Sequence, residues 1–212
     1  MLKAFTFSPF AENTYLVADD QTSEAVVFDP GCYEQIEKET LSRFLDDNKL
    51  TLKAVWLTHA HLDHVFGCAY LKRTYGVKVY MHQKEQVILN DTPGRAAMYG
   101  LRGFEPFEID GYLKENETLM LGNLSFDIRF VPGHAPGHIA FVNHADRYVI
   151  GGDVLFRASV GRTDFPYCSA ADLKKSITEQ LYSLPDDFAV YPGHMESTTI
   201  GYEKKHNPFV RG

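Results

Sequence analysis

At 212 residues with a formal charge of −7, the chain can bury roughly 70% of its unfolded surface in one domain, so no cross-links are needed to hold a core. Its three cysteines, Cys32, Cys68 and Cys168, are odd in number and show no CxxC spacing, which argues against a disulfide framework or a cysteine zinc site and for a reducing, cytoplasmic compartment. The acidic balance, the lack of any Lys/Arg run, and the absence of a window near the ~20 apolar residues of a membrane span argue against nucleic-acid and membrane partners.

Strand-type runs come first: Leu2 to Phe7, Thr14 to Ala18 and Ala25 to Asp29. A helix is expected over Tyr33 to Asn48, with Ile36, Phe44 and Leu45 on one face, followed by a strand over Leu52 to Leu57 and a helix over Val65 to Tyr75 stopped by Gly76. A strand at Lys78 to Met81 leads into the least regular stretch, Asp91 to Lys114, whose repeated Gly and Pro fit a lid, a binding loop or a surface excursion. Strands then recur at Thr118 to Leu121, Leu124 to Phe130, Ile139 to Val142, Tyr148 to Ile150 and Ala189 to Tyr191, and a helix spans Ala171 to Leu184 between Ser169 and Pro185. Strand and helix blocks alternate twice, so the expected class is layered α/β, with residues 1–212 forming a single domain.

Residues 58 to 64 read THAHLDH, directly after the apolar run Leu52 to Leu57. In extended backbone His59 and His61 share a side, while Asp63 and His64 turn towards a neighbouring point, a pattern that fits two adjacent metals better than packing. Three later strand ends supply further donors: Val131-Pro-Gly-His134, Gly151-Gly-Asp153 and Tyr191-Pro-Gly-His194. The glycines before these donors let the backbone approach closely. The set totals seven candidate metal ligands, all in strand-end loops.

The pattern Thr-His59-x-His61-x-Asp63-His64, then His134, Asp153 and His194, resembles the metallo-β-lactamase superfamily over nearly the whole chain. That resemblance implies a four-layer αββα sandwich of two mixed sheets. It also implies one metal on His59, His61 and His134, a second on Asp63, His64 and His194, and Asp153 bridging them. Within the superfamily, Pro9-Phe-Ala-Glu-Asn-Thr-Tyr15, Asp29-Pro-Gly31, Pro132-Gly-His-Ala-Pro-Gly-His138, Gly152-Asp-Val-Leu-Phe156 and Gly161-Arg-Thr-Asp-Phe165 look most like glyoxalase II in a short form without the C-terminal helical domain. By that likeness His138 is a hydrogen-bonding residue behind the metals rather than a ligand.

Two divalent ions, zinc first and iron or manganese as alternatives, can lower the pKa of a shared water and present hydroxide to a carbonyl. In the arrangement the resemblance implies, Asp63 and Asp153 would be the catalytic carboxylates, both committed to metal, and no spare general acid stands out. A small-molecule thioester is therefore favoured as substrate, because a thiolate leaves without strong protonation. Arg162 and Asp164 stand where glyoxalase II carries a Lys and a Tyr that contact glutathione. Arg162 is thus a candidate substrate-binding residue, set against an arginine simply paired with Asp164. A persulfide dioxygenase with one non-haem iron on His59, His134 and Asp153 is the alternative reading, and a lactonase-type hydrolase another.

Overall fold

The apolar run Ala25–Phe28 becomes the interior of a six-stranded mixed sheet, buried on both faces as such continuous runs require. The computed structural model describes Met1–Gly212, which divides into two units: Met1–Leu113 with Met120–Leu124, and Lys114–Leu119 with Ser125–Gly212. In the first unit β1 (Leu2–Phe7), β2 (Glu12–Ala18) and β3 (Glu24–Phe28) pair antiparallel. From β3 onward, β4 (Thr51–Trp56), β5 (Lys78–His82) and β6 (Gly111–Leu113) continue in parallel. Helices α1 (Gln35–Asp47), α2 (Leu62–Val65), α3 (Cys68–Tyr75) and α4 (Gln86–Met98) connect them. The core of this unit gathers Leu16, Val27, Leu41, Leu45, Val55, Leu71, Val79 and Met81.

Ile36 is not on the buried face of α1: it is 61% exposed, whereas Leu41 and Leu45 are buried. At about 100° per residue, Ile36 lies roughly half a turn around the helix from Leu45, so the two cannot share a face. The stretch from Asp91 is likewise more regular than its composition suggests. Helix α4 runs straight through Pro93-Gly94. Pro93 cannot donate to the Leu89 carbonyl, but the Thr92 hydroxyl donates to that oxygen at 2.6 Å. Beyond α4, Tyr33 Oη accepts from Gly103 N, Arg73 pairs with Glu105 and Lys72 pairs with Asp110, which fastens residues 101–110 onto the unit.

The second sheet runs β14-β13-β10-β9-β8-β7. Here β7 is Thr118–Leu121, β8 Leu124–Phe130, β9 Ile139–Asn143, β10 Tyr148–Gly152, β13 Ala189–Pro192 and β14 Thr198–Thr199, with β11 (Leu155–Phe156) and β12 (Ser159–Val160) forming a separate ribbon. β8, β9 and β10 are antiparallel and β13 joins β10 in parallel, so this sheet is mixed as well. Helix α5 (Ala170–Ser176) starts at Ser169, whose side chain accepts from Asp172 N, and widens into a π turn over Ile177–Leu181. It packs Leu173, Ile177 and Leu181 against Val149 and Val190, and α6 (Ile200–His206) adds Ile200. The expected α/β class with two mixed sheets is what the chain adopts. None of its helices is long and apolar enough to cross a membrane.

Candidate metal centre

In the first unit, β4 ends at Trp56 and the chain bends at Thr58 on its way to His61, whose extended backbone (φ −64°, ψ 150°) forms the N-cap of the four-residue α2. That short turn places Asp63 and His64 in its first residues. His59 and His61 stand with ring centroids 4.7 Å apart and His59 and His64 at 4.1 Å, all buried. His64 Nε2 is 3.8 Å from Asp63 Oδ2.

One carboxylate orients two of these rings. Asp29 takes the Thr58 amide at 2.7 Å and the Thr58 hydroxyl at 2.6 Å, and its Oδ2 is also 3.1 Å from His64 Nδ1. His64 therefore carries its proton on Nδ1 and turns Nε2 outward as a lone pair. Because the Thr58 hydroxyl spends its hydrogen on Asp29, its oxygen accepts from His59 Nδ1 at 3.0 Å, which leaves His59 Nε2 unprotonated too. Asp29, His59 and His64 thus have donor atoms within 4.8 Å of one another, with Asp29 already engaged in orienting the rings. Behind them, Ala60 N donates to Glu85 at 2.8 Å, and the fully buried Glu12 accepts from Thr14 with its pKa driven up by burial.

In the second unit, the turn carrying His134 is closed by Val131 N donating to His138 O at 2.8 Å. Gly133 has φ +135°, and a Cβ there would lie 2.2 Å from Leu173 N, so only glycine lets α5 approach this closely. His134 Nδ1 donates to the Arg162 carbonyl at 2.8 Å, again presenting Nε2. A Cβ on Gly161 would fall 1.9 Å from Asp153 O, so this glycine admits the Arg162 turn beside Asp153. His138 Nε2 accepts from the Asp153 amide at 3.0 Å and fixes where that residue leaves β10. The parallel register of β10 and β13, Gly152 opposite Pro192, brings His194 alongside.

Asp153 Oδ2 lies 3.5 Å from His134 Nε2 and 3.6 Å from His194 Nε2. These separations are too long for hydrogen bonds, whereas N and O donors sharing a tetrahedral cation at ~2.0–2.2 Å stand roughly 3.4 Å apart. Imidazole nitrogen with carboxylate oxygen is a donor set for Zn, Fe or Mn, so the residues fit metal ions. Four of the seven donors belong to the first unit and three to the second.

The Arg162 side chain is paired with Asp164. Its Nε and Nη2 each meet Asp164 at 2.7 Å, and its guanidinium stacks 3.9 Å above the Phe165 ring. Cys168 donates its thiol to the His134 carbonyl at 2.8 Å. Thr58, Glu85 and Glu12 carry no metal-binding signature of their own, since a buried hydrogen-bonding residue behind a ligand is identified by geometry rather than by spacing. Asp29 did carry a signal, the Asp-Pro-Gly turn.

The metallo-beta-lactamase superfamily pattern matches residues 8–194. Among curated relatives, hydroxyacylglutathione hydrolase GloC of Haemophilus influenzae is 38% identical, with 95% of this chain and 93% of that protein covered. The crystal structure of BLEG-1 B3 metallo-beta-lactamase superposes with a TM-score of 0.91 at 35% identity, covering all of both chains. TTHA1623 in a di-iron-bound form gives a TM-score of 0.86 at 35% identity, covering 98% of this chain and all of that one. Matched in sequence from the β1–β2 turn to His194 and in fold along its whole length, the chain belongs to the metallo-β-lactamase superfamily.

Proposed function

We propose that this member of the superfamily is a dinuclear metal-dependent hydrolase of thioesters, acting on glutathione-type substrates in the cytoplasm as one domain. The observation that carries the reading is Asp153 Oδ2, equidistant within 0.1 Å from two imidazole nitrogens and so suited to serve two cations at once. In this reading His59, His61 and His134 hold one metal and Asp63, His64 and His194 the other, with Asp153 between them. Zinc is the first choice, and the di-iron form of TTHA1623 keeps iron as the alternative. Bound there, the metals would supply a water of lowered pKa and positive charge beside a developing oxyanion.

This chain's own residues set that chemistry up. The proton positions on His59, His64 and His134 keep each Nε2 lone pair directed away from its hydrogen-bond anchor. His138 holds the Asp153 backbone amide and so fixes the point from which its side chain departs. Asp63 and Asp153 are taken up as ligands and Asp29 in orienting the rings, while Glu12 is fully buried behind them, which favours a leaving group that needs no proton, such as a thiolate. The relative from Haemophilus influenzae, a hydroxyacylglutathione hydrolase by name, supports the same substrate class.

The test joins metal analysis of purified protein with assays on S-D-lactoylglutathione and glutathione persulfide. Two metals per chain with thioester cleavage is the expected result. One iron per chain with oxygen uptake on the persulfide, and no thioester turnover, would replace this reading with the single-iron dioxygenase on His59, His134 and Asp153.

A further inference from the structure

Just past Asp153 the chain forms the β11–β12 ribbon, with Arg157 and Ala158 at its tip. Ala158 takes a left-handed φ of 53°, and its amide donates to both oxygens of Glu203, at 3.2 and 3.0 Å. Glu203 is fully buried on α6 and also accepts from Thr198 and Asn207, while Asn207 Nδ2 donates to Ser159 O at 3.0 Å. The tip is therefore clamped at Ala158 and Ser159 onto the C-terminal helix.

Arg157, next to this clamp, is 44% exposed in its side chain. Its guanidinium lies 5.1 Å over the Tyr202 ring, which itself meets the His206 ring at 4.8 Å with the planes tilted by 41°. Nε pairs with Glu196 at 3.3 Å, and no hydrogen bond is formed by Nη1 or Nη2 within the chain. The residues on either side tie it to the metal ligands. The ring of its neighbour Phe156 lies 6.3 Å from the ring of His194, edge on, and Glu196 follows His194 by two residues. Phe165 backs Arg162 as Tyr202 backs Arg157, but Asp164 holds two nitrogens of the Arg162 fork, Nε and Nη2, which occupies the edge a substrate carboxylate would need.

We infer that Arg157, rather than Arg162, binds a carboxylate of the substrate's thiol portion and sets the preference for acidic thioesters. The inference rests on the thioester reading above. An aromatic-backed arginine held at Nε is preorganised for a bidentate contact with a carboxylate. Glu196 competes with the ligand for the same cation, so its neutralisation works in the opposite direction.

The test uses metal-loaded full-length protein with Arg157→Ala, Arg157→Lys and Glu196→Gln. Substrates are S-D-lactoylglutathione and the same thioester with both carboxylates ethylated. Calorimetric binding of unreactive S-methylglutathione gives a readout independent of turnover. Arg157→Ala should raise KM for the acidic thioester, and Kd for S-methylglutathione, by about ten-fold, the loss expected for one charge-assisted hydrogen bond at a partly exposed site. The loss should read in KM rather than kcat, and be much smaller for the diester. Arg157→Lys should fall between, and Glu196→Gln should tighten binding. Equal effects on acid and diester, or unchanged KM and Kd in Arg157→Ala with a loss in Arg162→Ala instead, would overturn the inference. If wild-type protein cleaves neither thioester, the thioester reading fails, and S-methylglutathione binding by the same variants still decides the role of Arg157.

Discussion

Asp29 grips Thr58 at two points, taking the amide on Oδ1 at 2.7 Å and the hydroxyl on Oδ2 at 2.6 Å, and through that hydroxyl it also dictates the proton position on His59. Asp29→Asn would put an amide NH2 where Oδ2 now faces two donors, the Thr58 hydroxyl and His64 Nδ1–H. Metal affinity measured by competition with a chelator should fall roughly 10–100-fold, the usual cost of losing such a partner behind a ligand. Unaltered affinity would mean that the two rings hold their orientation without it.

The proline inside α4 leads to a test by double mutation. Thr92→Val removes the hydroxyl that satisfies the Leu89 carbonyl, and should cost about 1–2 kcal/mol in urea unfolding. In a Pro93→Ala background the backbone amide can take over that carbonyl, so the same Thr92→Val change should cost markedly less. Equal costs in both backgrounds would show that Thr92 acts through packing alone.

Asp164 has its carboxyl pKa lowered from 3.8 to about 2, first by the hydrogen bond from Arg162. A depressed pKa means that the pair is complete above the ordinary value and lost as the pH falls from about 4 towards about 2. The groups are exposed, so little global stability follows it. An NMR titration of the Asp164 carboxyl should give a midpoint near 2 that returns towards 3.8 in Arg162→Gln. A wild-type midpoint already at 3.8 would show that Arg162 is released in solution.

The cysteines should separate by reactivity. Burial, and then the neighbouring Glu12 carboxyl, push the Cys32 thiol up to about 12, and burial raises Cys68 as well. Cys168 is only half-buried. Alkylation of native protein at pH 8, read by mass spectrometry, should therefore mark Cys168 first and the other two only after unfolding. Cys32 or Cys68 labelling as fast as Cys168 would contradict the burial described above.

Much of this architecture could be read from residue order. Apart from β6 and β14, the strands of both sheets stand within a few residues of their apolar runs, because a continuous or alternating apolar pattern has few other ways to be buried. Histidine and aspartate at the ends of such runs were legible for the same reason. What escaped was set by contacts far apart in sequence. Helix α4 continues past Pro93 because Thr92 repairs the ladder, and β6 exists because β5 offers it an edge. Asp29 lies far from His64 in the chain and only the fold brings them together. Arg157 was not singled out in the sequence, because its contacts with Glu196 and Tyr202 and the neighbouring Ala158–Glu203 clamp come from residues far along the chain.

The pairing of Gly152 with Pro192 has one further consequence. Asp153 and His194 each emerge just beyond paired residues of adjacent strands, so their spacing is gauged by the rungs of a ladder and not by the length of chain that joins them. Insertions in the surface turn before α5 should leave Asp153 and His194 where they are, although His134 takes its anchors from that turn. A slip of β13 by one residue would instead invert its side chains and carry His194 to the wrong face, however well the intervening chain were preserved.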